Sequence, residues 1–393
     1  MIALLLIVLC SLISIPVVIL FVQVAMSLFS PKSKIGKLSD QRLNIAVLIP
    51  AHNEEHVIGE TIIALKKQLN DSDCLLVVVD NCSDRTASVA NDLGAEVLER
   101  TDNQKLGKGY ALDFGINYLR DSGNTPEVMV VIDADCIVEE KCLDILVEKC
   151  VQTRRPVQAL YLMHSNATTP GKKITEFAWI VKNLVRPLGY LKLGMPCQLM
   201  GTGMAFPFTL LSEVSLANSN IVEDMKLGID MARIGNSPVF CPEARVVSVF
   251  PDEEKSIESQ RTRWEHGHLS TILSECFGLF WAAIRRKDLG LLAMALDLLV
   301  PPLALLAIIL FVVTTITGLV TLNGLLGGLP LLIMITACSL FGLSVLLAWQ
   351  GFARHILSFK DLAGIPVYIF AKIPMYIRFW TRRQKVWVRT DRD

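Results

Sequence analysis

Hydrophobic positions along this chain fall into two regimes. From about residue 45 to 250 they come in short runs separated by amphipathic stretches; outside that region they come in long runs without charge. Ile45–Ile49, Leu75–Val79 and Val128–Ile132 are brief, continuous and rich in β-branched residues, the pattern of strands buried on both faces. Helical spacing over Glu54–Leu69, Asp84–Leu93 and Gly109–Leu119 lies between them. The alternation predicts an α/β domain over 45–250, built on an open, mainly parallel sheet. Such sheets take ligands just beyond the carboxyl ends of their strands, which directs attention to the residues after each strand.

The long runs predict membrane helices. Ile2–Leu28 carries no charge; at 1.5 Å per residue it spans the roughly 30 Å hydrocarbon layer with some tilt. A basic start and a short apolar stretch, the marks of a signal peptide, are both missing, which favours a retained anchor. Leu298–Val320 and Leu325–Trp349 are also uncharged and read as a hairpin of two further spans. Leu362–Ile377 is interrupted by Pro366, Lys372 and Pro374, and spanning would export Arg378, Arg382, Arg383, Lys385, Arg389 and Arg392. The positive-inside tendency makes it an interfacial segment, as it does the amphipathic Leu269–Ile284. The expected layout is an N-terminal helix (1–30), the α/β domain (45–250), interface helices (251–288), a transmembrane hairpin (289–350) and a basic tail (351–393). Lys32, Lys34, Lys37 and Arg42 after the first span put the globular part in the cytoplasm. Asp297 reads as a helix-start residue near water at the edge of the second span, with an intramembrane role as the alternative.

Composition narrows the class. Hydrophobic residues make up 52% of 393 and charged residues 19%, below the ordinary share for a soluble domain. With 38 basic and 38 acidic side chains the chain is a poor general ligand for nucleic acid. The 10 cysteines form no C-x-x-C pair and read as small buried hydrophobes in a reducing compartment. The sequons at Asn81 and Asn166 fall in the part placed in the cytoplasm and read as chance.

Several post-strand strings can carry chemistry, and each also has a purely structural explanation. Pro50-Ala51-His52-Asn53-Glu54-Glu55 opens a helix, where acids suit the dipole. Asp80-Asn81-Cys82-Ser83-Asp84 follows the second strand, where an Asp can cap the next helix. In Gly107-Lys108-Gly109, Lys108 offers a point charge, though no P-loop is present. Asp133-Ala134-Asp135 ends an apolar strand; residues i and i+2 project the same way, and a divalent cation such as Mg2+ or Mn2+ would relieve their repulsion. Glu223-Asp224 precedes a helical run and offers a general base. Gln260, Arg263 and Trp264 share one helix face, combining an amide, a guanidinium suited to phosphate and a ring suited to sugar stacking.

The ordered set PAHNEE, VVVDNCSD, GKGYAL, VIDADC, GTGMAF, VEDMKLG and QRTRW resembles the membrane-embedded family-2 glycosyltransferases, including cellulose, chitin and hyaluronan synthases and ceramide glucosyltransferases. The resemblance implies a GT-A (Rossmann-like) domain joined to transmembrane helices, a nucleotide-sugar donor (a UDP-sugar foremost), a divalent cation and inversion at the anomeric carbon. Carried over, it implies that Pro50, Ala51, Asn53, Glu54 and Asp80 hold the nucleotide, with Lys108, Asp133 and Arg263 beside it. It makes Asp133 and Asp135 the metal ligands. Gly201, Thr202 and Gly203 would floor the acceptor site, completed by Gln260 and Trp264. Asp224 would be the base of the Glu223-Asp224 pair. Two strings depart from the family pattern: Val222 stands in place of a Thr, and D-N-C-S-D in place of D-D-G/S. Both keep the central carboxylate.

The expected activity is therefore sugar transfer to a lipid-linked saccharide or growing polysaccharide at the membrane face, in bacterial surface-polysaccharide assembly, with homo-oligomers possible. Transfer of a single sugar to a lipid is the alternative. A sugar nucleotidyltransferase or a non-catalytic scaffold fits the motifs less well.

Overall fold

A computed structural model describes residues 2–29, 42–123, 125–165, 169–217, 220–250, 254–325 and 327–381. Lys32, Lys34, Lys37, Arg382, Arg383, Lys385, Arg389, Arg392 and the sequon at Asn166 lie outside the described residues. The described residues divide into two compact units, one drawn from 42–165 and 195–267, the other from 2–29, 169–194 and 268–381.

The first unit is an α/β domain on a single mixed sheet. Its strands are β1 (Ile45–Ala51), β2 (Cys74–Asp80), β3 (Glu96–Arg100), β4 (Val128–Val131), β5 (Ile137–Val138), β6 (Val157–His164), β7 (Met204–Pro207) and β8 (Val239–Val249). Their order is β3-β2-β1-β4-β7-β6-β8-β5. The first four are mutually parallel, β7 runs antiparallel between β4 and β6, and β5 closes the far edge antiparallel to β8. Apolar residues of β1, β2 and β4 are almost wholly buried, as their continuous hydrophobic runs require. Chain order reverses about β1, whose neighbours are β2 and β4, so a crevice opens past the carboxyl ends of these strands.

The predicted helices form, the first two with shorter bounds as Ile58–Lys66 and Thr86–Asp92, the third slightly longer as Lys108–Asp121. In the first, residues 54–57 form turns instead, which leaves backbone free to meet the loop after β2.

The second unit is helical. Among the described residues four helical runs are long and apolar enough to cross a membrane: Ala3–Ser27, Leu303–Leu322, Leu329–Ala353 and Phe359–Thr381. That is one more than the three spans expected from sequence. The fourth is broken into Phe359–Leu362, Ile365–Ala371 and Ile373–Thr381, with Pro366 and Pro374 in the first turns of the last two, where proline is tolerated. Pro301 and Pro302 likewise split the expected second span, ending one helix at Leu299 and starting the next at Leu303.

Two expectations are corrected here. Residues 167–194, read as part of the α/β domain, belong to the helical unit. Their helix Arg186–Lys192 packs so closely on the first helix that a Cβ on Gly189 would lie 1.9 Å from the Gln23 carbonyl oxygen. Asp297 is not at a helix start near water. It sits in the last turn of Leu289–Leu299, paired with Arg186 at 2.8 Å, and Gln23 donates to the same carboxylate at 2.6 Å. Arg186 donates to Gln23 in turn at 3.0 Å, so a charge that would be costly in an apolar unit has its partners satisfied.

Candidate active site

At the carboxyl ends of β1 and β2 two loops clamp each other. Asn53 and Asn81 both adopt left-handed backbone (φ 54° and 53°), a conformation that Asn tolerates better than most residues. The Asn53 N–H donates to the Cys82 sulfur, the Glu54 N–H to Thr86 Oγ1 at 2.8 Å, and the Ser83 N–H back to Asn53 Oδ1 at 2.7 Å. Asn81, the sequon residue, accepts from the Asp102 N–H and donates to Asp80.

Asp80 is buried and held by Arg100, whose Nη1 donates to it at 2.6 Å; His52 Nδ1 donates to the Asp80 carbonyl at 2.6 Å. Burial pushes the Asp80 carboxyl above its ordinary value, against the pull of Arg100. Neither Arg100 nor His52 was singled out from sequence. The signal for Arg100 is register: β3 pairs parallel with β2 so that Asp80 and Arg100 are partners across the ladder.

The next cluster surrounds Lys108, at the start of the helix Lys108–Asp121. Its ammonium is hydrogen-bonded to Asp133 Oδ1, donates to the Gly201 carbonyl at 2.7 Å and lies 3.8 Å from Glu223. Burial alone would make it less basic, but Asp133, Glu223 and Asp224 outweigh that and hold it well above the ordinary lysine value. Burial is also what lifts Glu223, to about 7, with Lys108 opposing and Asp224 adding to the rise. Gly201 lies between the acids. At φ +94° its backbone suits only glycine, and a Cβ there would reach 3.4 Å from Asp224 Oδ2 and 3.9 Å from Asp133 Oδ2.

The raised Glu223 has a consequence for stability. The folded state keeps a proton that the unfolded chain loses near 4.5, so stability is fully present below that pH and is lost as pH rises through about 7. Glu223→Gln is expected to melt above wild type at pH 8, by about 1–3 kcal/mol, with the difference closing toward pH 4.5. Thermal melts of both proteins across that range check it.

The cleft itself has a volume of about 220 Å3 and gathers Pro50, Ala51, Asn53, Glu54, Asp80, Lys108, Asp133, Asp135, Gln260 and Arg263, with His52 and His56 added. Gln260, expected on the acceptor side, thus lines the same cleft as the residues expected to hold the donor. Trp264 and the Glu223-Asp224 pair do not line it; the pair reaches the cleft through Lys108 and Gly201. Thr202 and Gly203, expected to floor the acceptor site with Gly201, do not line this cleft. Both are buried: Thr202 Oγ1 accepts from the Asp133 N–H at 3.0 Å, and the Gly203 carbonyl accepts from Ala159 within the sheet at 2.8 Å. Thr202 thereby braces the acidic strand end and Gly203 ties to β6, as β7 begins at Met204 and draws both into the sheet.

Ligand atoms of Asp133, Asp135 and Cys136 lie within 4.8 Å of one another. The two carboxylates offer hard oxygen donors fit for Mg2+ or Mn2+. Cys136 does not, because sulfur is a soft donor that suits neither ion.

The sheet order, acidic strand end and crossing helix define a GT-A-like α/β domain. Residues 42–267 match the model of glycosyltransferase like family 2, and the chain belongs to that family. It is 27% identical over 240 residues to the probable glycosyltransferase YdaM of Bacillus subtilis, covering 58% of this chain and 56% of that one. It is also 27% identical over 198 residues to 4,4'-diaponeurosporenoate glycosyltransferase of Staphylococcus haemolyticus, covering 47% and 50%. The chain thus matches about half the length of these curated relatives. Among solved structures, the mannosyltransferase PcManGT of Pyrobaculum calidifontis, in complex with GDP-Man and Mn2+, shares the fold with a TM-score of 0.56 at 14% identity, covering 96% of this chain and 99% of that chain.

Proposed function

We propose that this protein is an inverting, membrane-bound hexosyltransferase that moves a sugar from a nucleotide-sugar donor, a UDP-sugar first, to a lipid-linked or polysaccharide acceptor at the cytoplasmic face of a bacterial membrane. The observation that carries the reading is the meeting of two sets of groups around Gly201: the phosphate-suited cleft on one side and the Glu223-Asp224 pair on the other.

The cleft residues after β1 and β2 take the base and ribose, and Arg263 takes diphosphate oxygens. Asp224 removes the proton of an acceptor hydroxyl. That oxygen forms its bond to the sugar C1 as the bond from C1 to the diphosphate oxygen breaks, which inverts the centre and frees a nucleoside diphosphate. Asp135 and Asp133 would hold a divalent cation, which when bound supplies Lewis-acid stabilisation of the leaving diphosphate. Lys108 meanwhile keeps Asp133 and Glu223 from repelling each other. Trp264 offers a stacking face to the acceptor.

A role in surface-polysaccharide assembly is supported by the motif set and the apolar helices. The second reading, one sugar added to a lipid, is favoured by the relative whose name gives 4,4'-diaponeurosporenoate as what is glycosylated.

The test is a panel of nucleotide sugars offered to native membranes, with mass analysis of products. Release of nucleoside diphosphate tied to a glycosylated product supports transfer. Pyrophosphate formation would point to a nucleotidyltransferase, and no release with any donor to a scaffold. A ladder of products would favour polymer synthesis over single transfer.

A further inference from the structure

Gln260, Arg263, Trp264 and Gly267 are i, i+3, i+4 and i+7 on the helix Glu254–Arg286, so they share one face. Glycine in a helix interior costs about 1 kcal/mol relative to alanine, so its presence there calls for a packing reason. The reason is visible in what surrounds it. A Cβ on Gly267 would lie 2.7 Å from Val222 Cγ1, 3.3 Å from Val222 Cγ2 and 3.5 Å from Ile221 Cγ2. Both methyls of Val222 face the glycine, so turning this stiff β-branched side chain exchanges one close contact for another. Relief requires the backbone at Val222 to move.

Val222 is the residue on which the carboxylate pair hangs. It is the N-cap of the helix Glu223–Arg233, and its carbonyl accepts from Lys226 at 3.2 Å to close the first turn. Glu223 and Asp224 are the first two residues of that turn. A shift at Val222 therefore carries both acids with it and changes their spacing from Lys108 and Gly201.

We infer that Gly267 is a positioning residue: by admitting Val222 against the helix backbone, it sets the separation between the Gln260/Arg263/Trp264 face and the Glu223-Asp224 pair. The inference rests on the transfer reaction proposed above. It assigns no contact between Gly267 and substrate; the effect passes through Val222.

The test is a size exchange across this contact, using the full-length protein in detergent. Gly267→Ala should lower turnover on the order of 10²-fold, the usual cost of displacing a catalytic group by about 1 Å. Nucleotide affinity by calorimetry should stay near wild type, because the residues after β1 and β2 are untouched. Adding Val222→Ala to Gly267→Ala should restore most of the turnover and of the melting temperature. If Gly267→Ala does not fold, Val222→Ile crowds the same contact from the other side and should show the same split between turnover and affinity. Wild-type turnover in Gly267→Ala, or a loss that Val222→Ala leaves unchanged, would overturn the inference while leaving the transfer reaction intact. A wild-type protein that transfers no sugar at all would remove the reaction and this inference together.

Discussion

Asp224→Asn should cut turnover by roughly 10²–10⁴-fold, the range for removing an acid–base group, while nucleotide affinity stays close to wild type. The substitution is nearly isosteric, so Gly201 and Lys108 keep their places, but the amide cannot accept the acceptor's proton. Asp224 lies across Gly201 from the cleft proposed for the nucleotide, and it is not among the residues lining that cleft. Donor binding and proton removal are therefore separable. A purely structural Asp224, stabilising the first turn of its helix, would instead cost about 1 kcal/mol of stability and little turnover per folded molecule. Calorimetric affinity, melting temperature and turnover on one preparation decide between the two. Near-normal turnover would leave the proposed mechanism without its base.

Asp135→Asn is expected to fail differently, with donor affinity and turnover falling together. Asp135 lines the cleft, and its carboxylate oxygen is one of the close-set ligand atoms beside Asp133. Losing a charged oxygen there weakens the hold on a divalent cation and, through it, on diphosphate. The wild-type protein should lose activity in chelator and regain it with Mg2+ or Mn2+; the variant should need more cation for half-maximal rate. Full wild-type activity in chelator would remove the cation from the reaction. Asp133→Asn is the less informative change, because it also removes the partner of Lys108.

Much of the cleft lining was legible in the sequence because β1, β2 and β4 are buried on both faces and show as unbroken apolar runs. The residues after them then followed from the geometry of parallel sheets. β3 was not legible: Glu96 and Glu99 make it look like solvated loop, and Arg100, the partner of Asp80, was hidden with it. The brace at Thr202 was not legible because Met204–Pro207 is only 4 residues long and its pairing with β4 and β6 is non-local. Residues 170–192 were assigned to the wrong unit for a similar reason. Lys172, Lys173, Glu176, Lys182, Arg186 and Lys192 disguise a segment whose remaining positions are largely apolar. The value of Gly267 could not have been read from a string, since it depends on which residue lies opposite.

The position of β7 also bears on the order in which the molecule assembles during synthesis. β1, β2 and β3 each pair with a neighbour in sequence, whereas β4 must close back on β1 and then wait for β7, and the carboxylate pair and the Gln260 helix emerge later still. Early contacts of low sequence separation form fast, and distant ones bear the loop-closure entropy. A nascent chain can thus form the β1-β2-β3 wall of the cleft well before it has the acidic strand end, Arg263 or the carboxylate pair, so truncated products of translation would carry only part of the site.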